Sequence, residues 1–470
     1  MAIMNQLPFQ KRNIWDPIHT IAERMAFGKN QRLTTPRETH AESAATKGRL
    51  DPVQLLIESE KGRVEKLIPI RYARMLQSPF AFLRGSAIVM AEDLSHTPCS
   101  GIYVQCCGDC HLMNFGGYAT PERNQVFDIN DFDETLPAPF EWDVKRLAAS
   151  IVVAGRYKHF SAKEIKKAAF SAVKIYSEKI REIATMRQLD IWYNRLDEAS
   201  IIEMFKSDSA FVKRVKDLTD KATIQSHEFV YPKTSRSKDG KRKIVDNRPL
   251  IYHPEEIDEL IETSHSFFEE YYQSLSDDRK SLLQRFQLQD IASKVVGVGS
   301  VGTRCLIGLF SQTDDDFIFL QFKEGNPSVL EKYAGKSEYP NHGERVVNGQ
   351  RLMQTVSDIF LGWTKSKDGK EYYIRQLRDM KASANLDNFT PKILEDYASL
   401  CSWALAKSHA KAGRSPEIAG YIGKSEVFAE AVTDFAVHYA DQTEKDFALL
   451  KKAEKEKRII VSSESQKSAQ

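Results

Sequence analysis

Residues 102–147 read IYVQCCGDCHLMNFGGYATPERNQVFDINDFDETLPAPFEWDVKRL. The stretch sets Asp109, His111, Asn114, Asp128, Asn130, Asp131, Asp133, Glu134 and Asp143 among two short apolar runs and the start of a helix. Runs 102–106 and 125–129 read as strands flanking a Gly/Pro-containing connection, so the polar side chains collect at loop mouths, where sites usually sit. Carboxylates and amides placed this way hold a hard divalent cation and aim a nucleophile.

Working outward, a chain of 470 residues is too long for one ordinary core, and two or three subdomains are expected. Its 41% hydrophobic and 28% charged content is that of a soluble globular protein. A formal net charge of +2 argues against whole-surface nucleic-acid binding. No secretory signal is read at residues 1–12, and no apolar run approaches the roughly 20 residues of a membrane helix. Four of the six cysteines crowd between Cys99 and Cys110, which is no disulfide framework and points to a reducing cytoplasm. Cys107-Gly108-Asp109-Cys110-His111 matches the haem-attachment spacing, but that chemistry needs export. No second C-x-x-C pair completes a zinc site. Neither haem nor zinc is expected.

Residues 1–50 read as an irregular arm or short helices. The segment 51–94 is helical in pattern, with Ser78-Pro79 as an N-cap followed by proline. Arg84 there is either a partly buried cation needing an anionic partner or a surface side chain with a snorkelling stem. Residues 141–186 read as one helix with Ile165, Ala169, Ala172, Tyr176 and Ile180 on its apolar face, and helical patterning continues to about 222. The basic stretch 227–256 is a solvated loop or a flap over an anionic substrate, and a helix continues from it to about 275. Strands resume near 290. In FIFLQFKEG, alternation puts Phe317, Phe319, Gln321 and Lys323 on one face. Helix 344–356, strands 358–364 and 371–377, helix 391–412 and a last helix carrying Phe428, Ala431, Val432, Phe435 and Tyr439 complete the chain.

Gly297-x-Gly299-x-x-Gly302 alone fits a dinucleotide fingerprint, a kinase-like glycine loop or a hairpin turn. The next run, CLIGLF, is another strand rather than a helix. Strand, glycine loop, strand, a strand carrying Lys323 and a helix carrying Glu331 is the order of a kinase small lobe. Backbone amides of Gly299, Ser300 and Gly302 would then cover phosphates, Lys323 would contact them, and Glu331 would hold Lys323. Asp109 and Asn114 have the spacing of a catalytic base and its metal-binding asparagine, and Asp131-Phe132-Asp133 fits the metal-binding D-F-G position. The order is inverted, large-lobe motifs preceding small-lobe motifs, which a circular permutation resolves. In that arrangement the helix ending AKSHAKAG (406–413) docks near residues 103–109.

SPFAFLRG (78–85), GDCHLMNFG (108–116), FDINDFDET (127–135), PFEWDVKRLAAS (139–150) and GVGSVGTR (297–304) resemble a bacterial family catalogued as domain of unknown function 2252, from about residue 37 to about 450. More distantly, GDCHLMN followed by NDFDETLPAPFEWD is similar to the aminoglycoside and choline phosphotransferases. That resemblance implies Asp109 as base, His111 as the motif's second histidine, and Asn114 and Asp131 as metal ligands. It also implies Trp142-Asp143 as the aromatic-aspartate pair. Cys107 stands where that motif has its first histidine, and the hairpin between Asn114 and Asp131 is longer.

The expectation is therefore an α+β, two-lobed, protein-kinase-like fold, circularly permuted. It has an arm (1–50), a large helical lobe (51–286), a small β-rich nucleotide-binding lobe (287–382), C-terminal helices of the large lobe (383–455) and a frayed tail (456–470). It would bind ATP and one or two Mg2+ ions and phosphorylate a small molecule, with no membrane or nucleic-acid partner. Arg84, Lys145 and Arg146 would bind anionic groups of the acceptor, or else brace Asp143 and Glu141. Two rival functions stand beside it. One is a nucleotide-binding pseudokinase acting through a partner protein. The other is a phosphoester hydrolase with Asp109, His111, Asp128, Asp131 and Asp133 around two metals.

Overall fold

The computed structural model describes residues 19–43, 48–206, 208–209, 211–213, 215–217, 233–236, 242–254, 257–295, 297–313, 316–377 and 384–462. The fold is α+β. β1 (Tyr103–Cys106) pairs with β4 (Leu136–Pro139), and β2 (Phe115–Ala119) pairs with β3 (Gln125–Ile129), both antiparallel. The two expected strands of this region thus exist but belong to different ladders. Their partners FGGYA and LPAP carry glycine and proline, which erase the alternation that marks a strand.

Parts of the basic stretch 227–256 lie outside the described residues. What is described forms a hairpin, β5 (Thr234–Arg236) with β6 (Arg242–Ile244), and the short β7 (Ile251–Tyr252). β7 opens a six-stranded sheet with β8 (Gln287–Lys294), β9 (Cys305–Ser311), β10 (Phe317–Glu324), β11 (Gly362–Lys365) and β12 (Glu371–Gln376). The order is β11-β12-β10-β9-β8-β7, with every neighbour antiparallel. Alternation along β10 works as read. Leu320 and Phe322 pack with Phe267, Phe268 and Tyr271 of the helix Ile257–Gln273, and Phe319 packs with Ile307 and Leu309 on the opposite face. Lys323 therefore faces away from that helix.

The helical body is built on Phe140–Tyr157, Ala162–Ile183, Pro391–Lys411, Ser415–Ile422 and Val427–Lys455, whose apolar faces share one core. The single helix expected over 141–186 is two. His159 adopts φ 57°, and Ser161 restarts the helix with a capping box to Glu164, so the chain turns back and re-presents its apolar stripe. Among the described residues of 187–222, helices run over Gln188–Tyr193 and Glu198–Met204, and 209, 211–213 and 215–217 are helical as well. The expected arm contains an ordered helix, Ile21–Asn30, held to Ser415–Ile422 through Arg24 and Glu417 (2.8 Å). No helix of the described residues is long and apolar enough to cross a membrane.

Two buried ties join distant segments. Lys407 and Asp128, neither exposed at all, pair at 2.5 Å, with Thr355 completing the cluster through its N–H and hydroxyl. Arg49 bridges Asp93 and Asp446, both at 2.6 Å.

Candidate active site

β1 runs into Cys107-Gly108-Asp109 through a turn that only glycine permits. Gly108 has φ +83°, and a Cβ there would lie 2.2 Å from the Glu134 carbonyl. Asp143, in the first turn of the helix Phe140–Tyr157, accepts the amides of Cys107 (2.8 Å) and Gly108 (3.0 Å). His409 Nε2 stands 3.3 Å from the same carboxylate, and its Nδ1 lies 2.8 Å from the Tyr176 hydroxyl. The helix Pro391–Lys411, expected near residues 103–109, docks behind this turn. Asp143 positions the turn and does not line the cavity.

Asp109 projects into a cavity of about 350 Å3. Its Oδ1 accepts Arg146 Nε at 2.6 Å, while Arg146 Nη2 donates to the Leu83 carbonyl at 3.0 Å. Burial raises the Asp109 pKa and Arg146 opposes that. His111 Nδ1 accepts the Met113 amide at 3.2 Å, so its proton resides on Nε2, 3.8 Å from Asp109 Oδ2. Burial, with Arg84 and Arg146 nearby, holds His111 well below the ordinary histidine value and keeps it neutral. Asn114 donates its Nδ2 to the Asp109 carbonyl at 2.7 Å. Its Oδ1 has no protein donor among the described residues.

Asp131 and Asp133 line the same cavity, and Lys323 joins them across the fold. Its Nζ is hydrogen-bonded to Asp133 and lies 3.6 Å from Asp131. Burial alone would lower the Lys323 pKa, but the two carboxylates hold it well above the usual lysine value. The carboxylates split accordingly. Burial and the neighbouring Asp131 raise Asp133, while Lys323 and Arg375 overcome burial and lower Asp131. Their side chains keep 33% and 26% of their surface, which opens into the cavity they line. Tyr373 donates its hydroxyl to Asp133 at 2.7 Å.

The glycine loop closes the cavity from the opposite side. Its carbonyls are taken: Arg63 binds Gly299 (2.9 Å) and Val301 (2.6 Å), Val64 N–H binds Gly302 (2.7 Å), and Arg74 binds Gly297. The amides of Gly299, Ser300 and Gly302 have no acceptor among the described residues. Such unpaired N–H groups suit an anion. Gly297 and Gly302 have φ +69° and +95°, and Gly299 packs against the Arg84 carbonyl, where a Cβ would sit at 3.0 Å.

Four expectations are corrected. Glu331 does not hold Lys323; its carboxylate accepts the Ser328 amide at 3.3 Å and faces His342 (3.6 Å) and Arg345 (4.0 Å). The spacing from Lys323 leaves Glu331 only a one-turn helix, Glu331–Ala334, beyond the strand end. Asp128 belongs to the Lys407–Thr355 cluster rather than the cavity, so it cannot complete a two-metal set with Asp109 and Asp131. Lys145 lies in the helical core, 3.3 Å from the Thr97 hydroxyl and 4.5 Å from the Phe435 ring centre. Burial, opposed by Glu141, takes its pKa down to about 8. Arg146 binds Asp109 instead of facing the cavity.

Several site residues carried no local signal. Arg345, in the helix His342–Met353, donates to the carbonyls of Thr135 (2.6 Å), Asp133 (2.8 Å) and Asn326 (2.7 Å), fixing the acidic loop. Arg63 and Arg71 lie within helical-looking sequence, and their roles come from long-range packing. Cys107, Cys110 and Asp143 cluster closely enough for a metal, yet burial keeps both thiols protonated and Asp143 is committed to two amides.

Glu134, also lining the cavity, has a testable pH signature. Burial pushes its pKa from 4.5 to about 7, against the Val329 amide that it accepts at 2.7 Å and the Arg345 charge. A carboxyl whose pKa is raised by folding contributes full stability below its unfolded value and loses it as pH rises through the folded value. Glu134→Gln is neutral throughout, so its melting temperature relative to wild type should climb between about pH 4.5 and 7. A pH-independent difference would show an ordinary carboxyl.

The family model described as "Uncharacterized protein conserved in bacteria (DUF2252)" matches residues 63–453. The chain belongs to this family. The matched span holds the glycine loop, Lys323, the acidic cluster and the arginines of the cavity, so this DUF2252 chain has its whole candidate site inside the shared region apart from Ser59, Lys61 and Gly62. No curated protein and no solved structure matches the chain.

Proposed function

We propose that this DUF2252 protein is an ATP- and Mg2+-dependent phosphotransferase with a two-lobed, circularly permuted kinase-like fold, acting on a small-molecule hydroxyl. One observation carries the reading. Lys323, from β10, the second strand after the glycine loop, bonds Asp133, 190 residues away in sequence, while the loop, Asp109, Asn114, Asp131 and Asp133 line one cavity.

The donor set fits the cofactor. Asn114 Oδ1 and the carboxylates of Asp131 and Asp133 are hard oxygen ligands of the kind Mg2+ takes, and when bound the ion neutralises charge on the transferring phosphate. The amides of Gly299, Ser300 and Gly302 cover the phosphates, and Lys323 offers them its charge. Asp109 receives the acceptor's hydroxyl proton as the new O–P bond forms. The bond from the terminal phosphorus to the ADP oxygen breaks and ADP leaves. Arg146 orients Asp109 for that step.

Incubation with γ-labelled ATP, Mg2+ and pools of hydroxyl-bearing metabolites tests it: label should enter a small molecule. Nucleotide binding without transfer to any pool, with cellular function intact in an Asp109→Asn strain, would favour a pseudokinase acting through a partner. Phosphoester cleavage without ATP would favour a hydrolase.

A further inference from the structure

The charges of the cavity do not balance locally, and the imbalance lies on one wall. Each carboxylate has a cation beside it: Asp109 has Arg146, Asp131 and Asp133 have Lys323, Glu324 has Arg304 at 3.4 Å, and Glu134 has the field of Arg345. The facing wall, from the segment around the helices Ile68–Met75 and Pro79–Gly85, brings Arg71 and Arg84 to the same cavity. Neither forms an ion pair among the described residues. Arg71 is 1% exposed; among the described residues it donates only to the Leu56 (3.4 Å) and Gly85 (3.2 Å) carbonyls, and its Nε has no partner. The buried Arg84 Nε has none either. A guanidinium removed from water without a counter-ion is costly, and an arginine fork is the side chain best matched to a phosphate or carboxylate.

We infer that Arg71 and Arg84 form an anion subsite for the acceptor, so that the molecule phosphorylated is a hydroxyl compound already carrying a phosphate or carboxylate. This rests on the phosphotransfer reading and names its substrate class. Two features assign the subsite to the acceptor rather than to ATP. Arg84 follows Leu83, whose carbonyl holds Arg146 against Asp109, and the charge of Arg84 is felt by Asp109 and His111. The nucleotide phosphates have their own donors in the loop amides and Lys323.

The test is titration calorimetry of inorganic phosphate into protein saturated with Mg-ADP, with ADP affinity measured separately. Phosphate should bind the ADP complex of the wild type. Arg84→Gln should weaken phosphate at least about tenfold, the loss expected for one charge-assisted contact, and leave the ADP dissociation constant within about twofold. Arg84→Lys, which keeps charge but not the fork, should fall between and guards against a folding defect in the Gln variant. Unchanged phosphate affinity in both variants would overturn the inference. So would competition between phosphate and ADP, or parallel loss of both affinities, since the arginines would then serve the nucleotide. Phosphate binding through Arg84 in a protein that binds no ADP would remove the phosphotransfer reading and leave the anion site standing.

Discussion

Asp109→Asn should lower phosphotransfer turnover by about 10²–10⁴-fold, the usual worth of a general base, while Mg-ATP still binds. The amide oxygen of Asn can keep the bond from Arg146 Nε, now 2.6 Å long, so the turn and its Asp143 anchors stay in place. What disappears is the group proposed to accept the hydroxyl proton. Steady-state kinetics should show the loss in kcat with little change in the KM for ATP. Because burial raises the Asp109 pKa, the wild-type acid limb should begin above the ordinary aspartate range, and kcat should fall as pH drops and the carboxyl takes up its proton. A variant with near wild-type kcat would show that Asp109 is structural.

Lys407→Ala should destabilise the protein by about 3–5 kcal/mol, the cost of leaving one partner of a buried pair uncompensated. Lys407 and Asp128 are both fully inaccessible, so water cannot replace the ammonium. Asp128 would keep the Thr355 amide and hydroxyl, both at 2.8 Å, but no cation. Urea unfolding measures the loss as a lower midpoint at unchanged slope. The double variant Lys407→Met with Asp128→Asn removes both charges and should recover most of it. If the double variant is no better than the single one, the pair is not the source. The pair ties the helix Pro391–Lys411 to β3, the strand leading into Asp131, so a loosened pair should also weaken Mg2+-dependent binding.

Much of the site is legible because its residues sit in short, strongly patterned pieces. Asp109, Asn114, Asp131 and Asp133 fall at strand ends, where loop chemistry collects, and alternation in β10 correctly turns Lys323 away from the helix Ile257–Gln273. The glycine loop is recognised by the strand that comes after it. What sequence cannot carry is partnership across the fold. Asp128 looks equivalent to Asp131 in FDINDFD, yet one pairs with Lys407 and the other with Lys323. Glu331 has the residue type for a lysine brace but ends up with Ser328, His342 and Arg345. Arg63, Arg71 and Arg345 act through backbone carbonyls or unmet charge, which leave no trace in local pattern. β2 and β4 were hidden by glycine and proline, whereas the break at His159 did leave a signal, the S-x-x-E capping box from Ser161 to Glu164.

The decisive measurement is thermal unfolding with and without ATP, each with and without Mg2+, for wild type, Lys323→Ala and Asp131→Ala. Ligand at a hundred times its dissociation constant should stabilise the folded state by about 2.7 kcal/mol, a readily measured rise in the midpoint. A site assembled from the glycine loop, Lys323 and the acidic cluster predicts a shift in wild type that needs Mg2+ and is lost in both variants. A wild type that shifts with no nucleotide at any concentration would contradict it, as would a shift that survives both substitutions.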